Sequence, residues 1–587
     1  MNLTAWWTLA VVTLMLGALV RSRIAPATAV MGAMVTLLVT GVIEPGQAFA
    51  GFANPAPMTV AALFVLARAV EKTGGLQPVL AALLGDGPGH RTSMIRLLAP
   101  TAAASAFLNN TPIVAMLAPQ VAEWTRRRGV SPSRFLMPLS FAAILGGTIT
   151  AIGTSTNLVI SGLLEQYGHA PLGMFEITKL GIPVTIAGIG LIILLAPILL
   201  PDRRGPRTHL EEGTREFVVT MQVEPNGALD HRAVEEGGLR HLMGVFLVDI
   251  ERGTERLAPV TPSTVLHGGD YLTFVGRADL IVDLQNIRGL SSTEEKHLAG
   301  LDGPQHTFYE VVIGAESPLV GHTLKQGRFR SRYQGAVVAI HRAGERVRAK
   351  LGDVKLRHGD TLLLLTDPDF RDRWRDRNDF LLISRSGGNA PAMTRKAGVV
   401  GVITIAIVVL AGTGLMPILH ASLIGAVSLV VLGVLTAGEA RNAVDLDVIL
   451  VIAAAFGIGA AIESSGLAVT SANLLTEAFG TLGARGVLLG IVVSTMVLTE
   501  LITNNAAAIL AFPIGMTAGT AAGFEPRTIA LAIAVAASAS FLTPIGYQTN
   551  TMVFGPGGYR LADYLRLGAP LTLLVLTLLV VLAGVGY

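Results

Sequence analysis

FLNNTPIVAMLAP (residues 107–119) and LITNNAAAILAFP (residues 501–513) are the same stretch written twice. Asn110 pairs with Asn504 and Pro119 with Pro513 at one constant offset. A second matched pair follows. GTSTN runs from Gly153 to Asn157, and GYQTN from Gly546 to Asn550. All four segments put glycine and uncharged polar residues inside long apolar runs. In hydrocarbon, irregular backbone and bare amides survive only where protein buries them or where they line a cavity. Matched interruptions in two halves of an apolar chain point to a ligand site between repeats.

The composition agrees. The chain has 587 residues, 51% of them hydrophobic and 14% charged, against roughly a quarter charged for soluble domains. A net charge of +3, with no basic run interleaved with aromatics, gives no case for nucleic acid. With no cysteine, disulfides and thiolate chemistry are excluded. The apolar run Leu3–Val20 has no basic residue before it and reads as a first membrane helix, not a cleaved signal. Residues 1–200 and 395–587 are apolar, whereas most of the 41 acidic residues fall in 201–394. That middle part reads as a soluble insert, with turn-rich hinges at 201–206 and 386–391.

Helices of spanning length are expected near 4–20, 25–43 and 57–71, a hairpin near 92–122, a broken helix near 134–166 and a last helix near 178–200. The second part repeats the plan at 395–413, 416–435, 446–464, 483–522, 527–558 and 568–586. Five crossings per half, with each hairpin entering and leaving on one side, invert the second half. The lysines and arginines gather on one side of this scheme, among them Arg21, Arg96, Arg126, Arg134, Arg203, Arg441 and Arg560. By the positive-inside rule that side is the cytoplasm. The insert is then cytoplasmic, and both termini lie outside an inner (plasma) membrane.

At the hairpin tips, Asn109-Asn110-Thr111 and Thr503-Asn504-Asn505, one half-helix would present carbonyls and the next its amides. Carbonyl and asparagine oxygens suit sodium, and amides at a helix N-terminus suit an anion. Glycine at the breaks lets backbone approach a ligand closely. No lysine or arginine stands at the tips. A lone asparagine in an apolar helix is more often glue between helices. Two matched tips with two matched breaks point instead to a site. Ser105 and Thr499 lie one helical turn before their tips, so their hydroxyls face the same way.

At these residues the chain resembles the divalent anion:sodium symporters, the SLC13-type permeases, whose signature is Ser-Asn-Thr at each tip and a glycine-rich break ending in asparagine. Only the central asparagine is kept in both tips here. The resemblance implies a polytopic α-helical membrane protein. It would be an inverted-repeat transporter with two re-entrant hairpins and broken helices, working as a homodimer in lipid. It implies one sodium site from Ser105, Asn109, Asn110 and the carbonyl of Gly153. A second would use Thr499, Asn504 and the carbonyls of Ile502 and Gly546. The anion would lie between Asn110, Thr111, Thr154 and Ser155 on one side and Asn504, Asn505, Tyr547 and Gln548 on the other. The dicarboxylate branch often carries prolines where Thr154-Ser155 and Tyr547-Gln548 stand here. The bulk of Tyr547 and Gln548 argues for a small anion, and Gly-Tyr-Gln-Thr-Asn resembles the sulfate permease branch. C4-dicarboxylate stays open as the alternative substrate, and sodium is the only cofactor implied.

The insert repeats as well. His267-Gly268-Gly269-Asp270-Tyr271-Leu272 is similar to Arg357-His358-Gly359-Asp360-Thr361-Leu362, each after a β-like run. This resembles two tandem TrkA-C (RCK-C) domains, at 206–290 and 305–385, which imply an α+β fold that pairs with itself and can take a small regulatory ligand. No Rossmann-type glycine motif accompanies them. A dimerising module without ligand is the plainer reading. An RCK-regulated channel is the competing function class, but it would need a Gly-Tyr-Gly type filter, and none occurs. Gly85–His90 reads as a surface loop, not a phosphate cradle. The twelve histidines show no metal spacing, and no nucleophile with a base suggests an enzyme. Glu500 and Glu463 are acids in apolar segments; Glu500 is open to tuning the second cation site, to carrying a proton, or to a place facing water near the hairpin mouth.

Overall fold

A computed structural model describes residues 2–21, 24–75, 90–128, 130–202, 217–239, 245–253, 255–257, 260–276, 287, 289–292, 307–314, 317–342, 345–347, 351–366, 369–374, 379–385, 396–544 and 546–584. Most of both hinges and of the loop before His90 lies outside these residues. The chain divides into two units, Met1–Arg203 with Thr307–Tyr587, and Arg204–His306.

The first half of the larger unit opens with α1 (Leu3–Arg21) and α2 (Pro26–Val39). The helix expected near 57–71 is α4 (Pro55–Thr73), and before it stands a helix the sequence reading missed, α3 (Pro45–Ala53). Each begins on a proline, whose fixed φ favours the first helical turn and stops the one before it. Asn54 caps α4 by accepting from the Ala56 amide at 2.9 Å, and its amide group donates to the Gly162 carbonyl. Then come α5 (His90–Ser105), α6 (Asn110–Arg127), α7 (Leu136–Gly147), α8 (Ser155–Gln166) and α9 (Thr178–Leu199). The expected hairpin is the pair α5 and α6, and the expected broken helix is α7 and α8.

In the second half, α12 (Ala397–Gly412), α13 (Ile418–Val431) and α15 (Leu446–Ser464) fall where expected. The sequence reading missed α14 (Ala437–Ala443) and α16 (Leu467–Phe479). Both are short or polar enough to hide in a hydropathy scan, although Thr436 and Glu439 form a capping box at α14, which is a sequence-level signal. The pairs α17 (Ala484–Leu501) with α18 (Asn504–Ala521), and α19 (Pro526–Ser538) with α20 (Gln548–Phe554), carry the second copy of the quoted motifs. The last helix, α21, runs Leu561–Gly584 and starts earlier than its apolar run, because Asp563 accepts the Arg560 amide at 2.7 Å. Six helical stretches among the described residues are long and apolar enough to cross a membrane.

Between the halves stand two five-stranded antiparallel sheets. In the smaller unit the order is β3-β2-β4-β1-β5, from β1 (Phe217–Val223), β2 (Val245–Arg252), β3 (Glu255–Leu257), β4 (Tyr271–Gly276) and β5 (Leu290–Ser292). The second sheet has β6 (Thr307–Ile313), β7 (Gly335–Arg342), β8 (Glu345–Arg346), β9 (Thr361–Thr366) and β10 (Phe380–Arg385), with two short helices between strands in the chain, α10 (Phe329–Tyr333) and α11 (Phe370–Trp374). Its order, β10-β6-β9-β7-β8, is the same topology strand for strand. The two repeats share one ion pair. Arg252 grips Asp270 with two bonds of 2.7 and 2.8 Å, and Arg342 grips Asp360 with two of 2.8 Å. Both aspartates are almost fully buried, so the bidentate guanidinium is what makes their burial tolerable. The Asp360 carboxylate holds the Arg342 guanidinium above its ordinary value.

The second sheet belongs to the larger unit and touches its helices. The turn before β9 lies against the end of α20. A Cβ on Gly555 would strike the Thr361 hydroxyl and lie 3.4 Å from the Gly359 carbonyl, and β10 contacts α6. Replacing Gly555 by valine should therefore wedge the sheet off α20. Hydrogen exchange at 351–366 should rise and the melting temperature fall in detergent. Gly17→Val, a site with nothing within 4 Å, should change neither.

Candidate functional site

Each helix break leaves amides and carbonyls with no helical partner, and the two copies satisfy them identically. Asn157 donates to the carbonyls of Gly147 (3.1 Å) and Thr150 (2.8 Å), and Asn550 to those of Ser540 (3.0 Å) and Thr543 (3.3 Å). In both copies the acceptors lie ten and seven residues back. The asparagine that ends each motif is therefore the clamp that closes its break. Both asparagines are fully buried. Thr150 also donates to the Ala106 carbonyl, and Thr543 reaches the Glu500 carbonyl at 3.4 Å, so each break is tied to the helix pair beside it.

The tips are built the same way. Ser105 Oγ lies 2.5 Å from Asn110 Oδ1 and 2.8 Å from the Ala143 carbonyl oxygen. Thr499 Oγ1 lies 3.1 Å from Asn504 Oδ1 and 2.5 Å from the Ala537 carbonyl oxygen. Gly153 and Gly546 sit where any side chain would collide. A Cβ on Gly153 would meet the carbonyls of Gly147 at 2.5 Å and Ser105 at 2.9 Å, and one on Gly546 the Thr499 carbonyl at 2.8 Å. Two oxygen-rich nests result, one per copy, with no nitrogen or sulfur ligand, as a hard monovalent cation prefers. Among the described residues two buried oxygens here have no partner, Asn157 Oδ1 at the first break and the Ser540 hydroxyl against Gly546 at the second. Such an orphan is costly unless something fills the place.

Between the nests the two halves join. Asn110 Nδ2 donates to the Tyr547 hydroxyl at 2.5 Å, which lies 3.3 Å from Thr154 Oγ1, with Asn504 beside it. Ser155 and Thr156 donate to Asn505 Oδ1 at 3.1 and 3.2 Å, and Thr111 to Gln548 Oε1 at 3.2 Å. Seven of the eight residues expected to face the anion thus bond across the halves, and the eighth, Asn504, lies beside Tyr547 and holds Thr499. They stand at the starts of α6, α8, α18 and α20, so unpaired amides of four helices point inward.

Of the residues expected at the cation sites, Ser105, Asn110, Gly153, Thr499, Asn504 and Gly546 form the nests. Asn109 stands half-buried at its break and takes no part in this network among the described residues. Ile502 is extended, with φ −136° and ψ −177°, and ends α17. The sequence reading passed over Asn157 and Asn550, although both copies show them at the same place. It also missed Ser140, which donates to Asn550 Oδ1 and Thr549 Oγ1 at 2.8 and 2.9 Å, and Thr156. Ser140 has no distinguishing signal in an apolar helix. Glu500 does not face water through its carboxylate. One oxygen accepts the Phe541 and Leu542 amides at 2.7 and 2.8 Å, and the other is buried without a partner. Glu463 is exposed beside Tyr167.

Comparison with known proteins adds an independent finding. The family model described as citrate transporter (CitMHS) matches residues 11–536. A provisionally named sulfur deprivation response regulator of Chlamydomonas reinhardtii is 36% identical, over 91% of this chain and 94% of its own. An uncharacterized transporter of Synechocystis is 34% identical, over 93% and 91%. Sodium/sulfate cotransporter 1 of Chlamydomonas reinhardtii is 25% identical, over 90% and 83%.

If Asn157 and Asn550 clamp the breaks, Asn157→Ala and Asn550→Ala should each strand two buried carbonyls, at a cost of about 1–3 kcal/mol. Thermal unfolding in detergent should report a lower midpoint for both. Asn109→Ala, outside the network, should melt with the wild type.

Proposed function

The chain belongs to the citrate transporter (CitMHS) family, a family of multi-pass helical membrane transporters, and we propose that it is a sodium-coupled symporter of a small divalent anion, sulfate first among the candidates. The observation that carries this reading is the duplicated oxygen nest flanking a cluster of hydroxyls, amides and helix N-termini. Ser105, Asn110 and the carbonyl of Gly153 hold one sodium ion. Thr499, Asn504 and the carbonyl of Gly546 hold the other, with Asn109 and the Ile502 carbonyl as outer members. The anion lies between Asn110, Thr111, Thr154 and Ser155 and the facing Asn504, Asn505, Tyr547 and Gln548. Helix N-termini and hydroxyls offer it partial positive charge, and the co-bound cations supply the rest. The names of the sodium/sulfate cotransporters among the relatives support both sodium and sulfate. The bulk of the enclosed Tyr547, at 8% exposure, supports a compact substrate over a citrate or a C4-dicarboxylate.

The pairs α5/α6 and α17/α18 act as re-entrant hairpins, each returning to the side it entered, and the halves are inverted. Substrate crosses by movement of the hairpins and broken helices against α1–α4 and α12–α16, which serve as a dimer scaffold in the lipid of the inner membrane. The two sheets are TrkA-C-like domains, 206–290 and 305–385, on the cytoplasmic side, and both termini lie outside. They regulate and do not carry substrate. The contact of the second sheet with the ends of α20 and α6 gives such regulation a path to the site.

Uptake of radiolabelled sulfate, succinate and citrate into proteoliposomes tests the reading, each with and without an inward sodium gradient. Sulfate uptake should need sodium, and the organic acids should compete weakly. Asn110→Ala and Asn504→Ala should each lower it at least tenfold while the protein still folds, in line with about 1–3 kcal/mol lost per stranded partner. Equal uptake on a proton gradient without sodium would contradict sodium coupling. Preference for succinate or citrate would contradict sulfate.

A further inference from the structure

The contacts at the centre of the site form one line from nest to nest. Ser105 Oγ meets Asn110 Oδ1 and Asn110 Nδ2 meets the Tyr547 hydroxyl; the backbone then leads from Tyr547 to Gly546, which packs on the carbonyl of Thr499, whose Oγ1 meets Asn504 Oδ1. Every member is buried, with exposures of 0, 0, 8, 9 and 0% from Ser105 through Asn110, Tyr547 and Asn504 to Thr499. The line begins in one oxygen nest and ends in the other. It crosses the space assigned to the anion, and a single side chain makes the crossing.

Tyr547 has no equal in the first copy. It caps α20 as Thr154 caps α8, but the threonine hydroxyl is too short to cross and ends against Tyr547 itself at 3.3 Å. One copy thus supplies the bridge and the other only a support. We propose that the Tyr547 phenol couples the two cation sites, so that filling one nest biases the other toward its occupied arrangement. The inference rests on the symporter reading of the site.

The physical argument is the polarity of the carboxamide. Asn110 has one accepting end and one donating end. A cation drawn to Oδ1 holds that end in the first nest and fixes Nδ2 toward the phenol. The phenol oxygen then accepts from Asn110, and its proton is left for Thr154. Fixing the Tyr547 side chain in turn fixes the Gly546 backbone before it, whose carbonyl the second nest uses. In a dry interior such chains polarise along their length. An effect of one site on the affinity of another is a coupling free energy, which must be reciprocal. A packing role for Tyr547 would need only the ring, and phenylalanine keeps the ring.

The test is sodium titration of the purified full chain in detergent without anion, read as the thermal-unfolding midpoint, beside the sodium dependence of sulfate uptake. The wild type should respond cooperatively, with a Hill coefficient near the number of sites, about 2. Tyr547→Phe should still be stabilised by sodium, but with a Hill coefficient of about 1. Unchanged cooperativity in Tyr547→Phe would overturn the coupling and leave the symporter reading standing. No response of the wild type to sodium, with potassium as control, would overturn that reading and the coupling with it. Should Tyr547→Phe fail to fold, the cycle of Ser105→Ala, Thr499→Ala and the double variant reads the same link. Non-additive shifts of the sodium midpoint are expected, and additive shifts would overturn it.

Discussion

A helix that stops inside an apolar interior strands its last carbonyls and the next helix's first amides, and only the protein can satisfy them. Nearly everything distinctive in this molecule follows from that constraint. The breaks at 148–154 and 539–547 are closed by Asn157 and Asn550, each reaching back to two carbonyls of its own break. The tips at 106–109 and 502–503 are closed by Ser105 and Thr499, each set between an asparagine oxygen and a backbone carbonyl. What remains unsatisfied after this clamping includes two oxygens, Asn157 Oδ1 and the Ser540 hydroxyl. A cation held in the proposed nests would need no charged ligand.

The duplication is close but not complete, and the departures carry meaning. Where the first copy has Ala106 after Ser105, the second has Glu500 after Thr499. The Glu500 carboxylate takes over two amides of its break, Phe541 and Leu542. In the first copy the corresponding amides of Thr148 and Ile149 still bond to helical carbonyls. The second break therefore needs a side chain to hold it. Opposite Thr154 stands Tyr547, whose ring fills the space between the copies. Both departures lie in the second half, beside smaller exchanges such as Thr499 for Ser105 and Thr503 for Asn109.

Much of this is legible in the sequence. The paired motifs located both tips and both breaks, because a polar interruption repeated at the same place in two apolar runs must be satisfied by protein or by a ligand. The eight residues expected around the anion do meet, since helix starts at matched positions of two copies must face one another when the copies pack. Three things were not legible. The short helix α3, set off from α4 by the Asn54 cap and Pro55, escapes the pattern, and α14 and α16 are too short or too polar for a hydropathy window. Ser140 acts only through partners more than 400 residues away, and periodicity along one chain has no access to such pairs. Asn157 and Asn550 were visible in both copies, yet read as the ends of motifs. Their role as clamps depends on the path of the intervening backbone, which no spacing specifies.

The central claim is that an oxyanion binds between the two tips. Selenate in place of sulfate, bound in the presence of sodium to the full chain with ordinary methionine, makes the position directly measurable by anomalous scattering from selenium. One peak within hydrogen-bonding distance of Asn110, Asn504 or Tyr547 is the predicted result, and it should vanish when sodium is replaced by potassium. A selenium peak elsewhere in the molecule, with the space between Asn110 and Asn504 empty, would contradict the account.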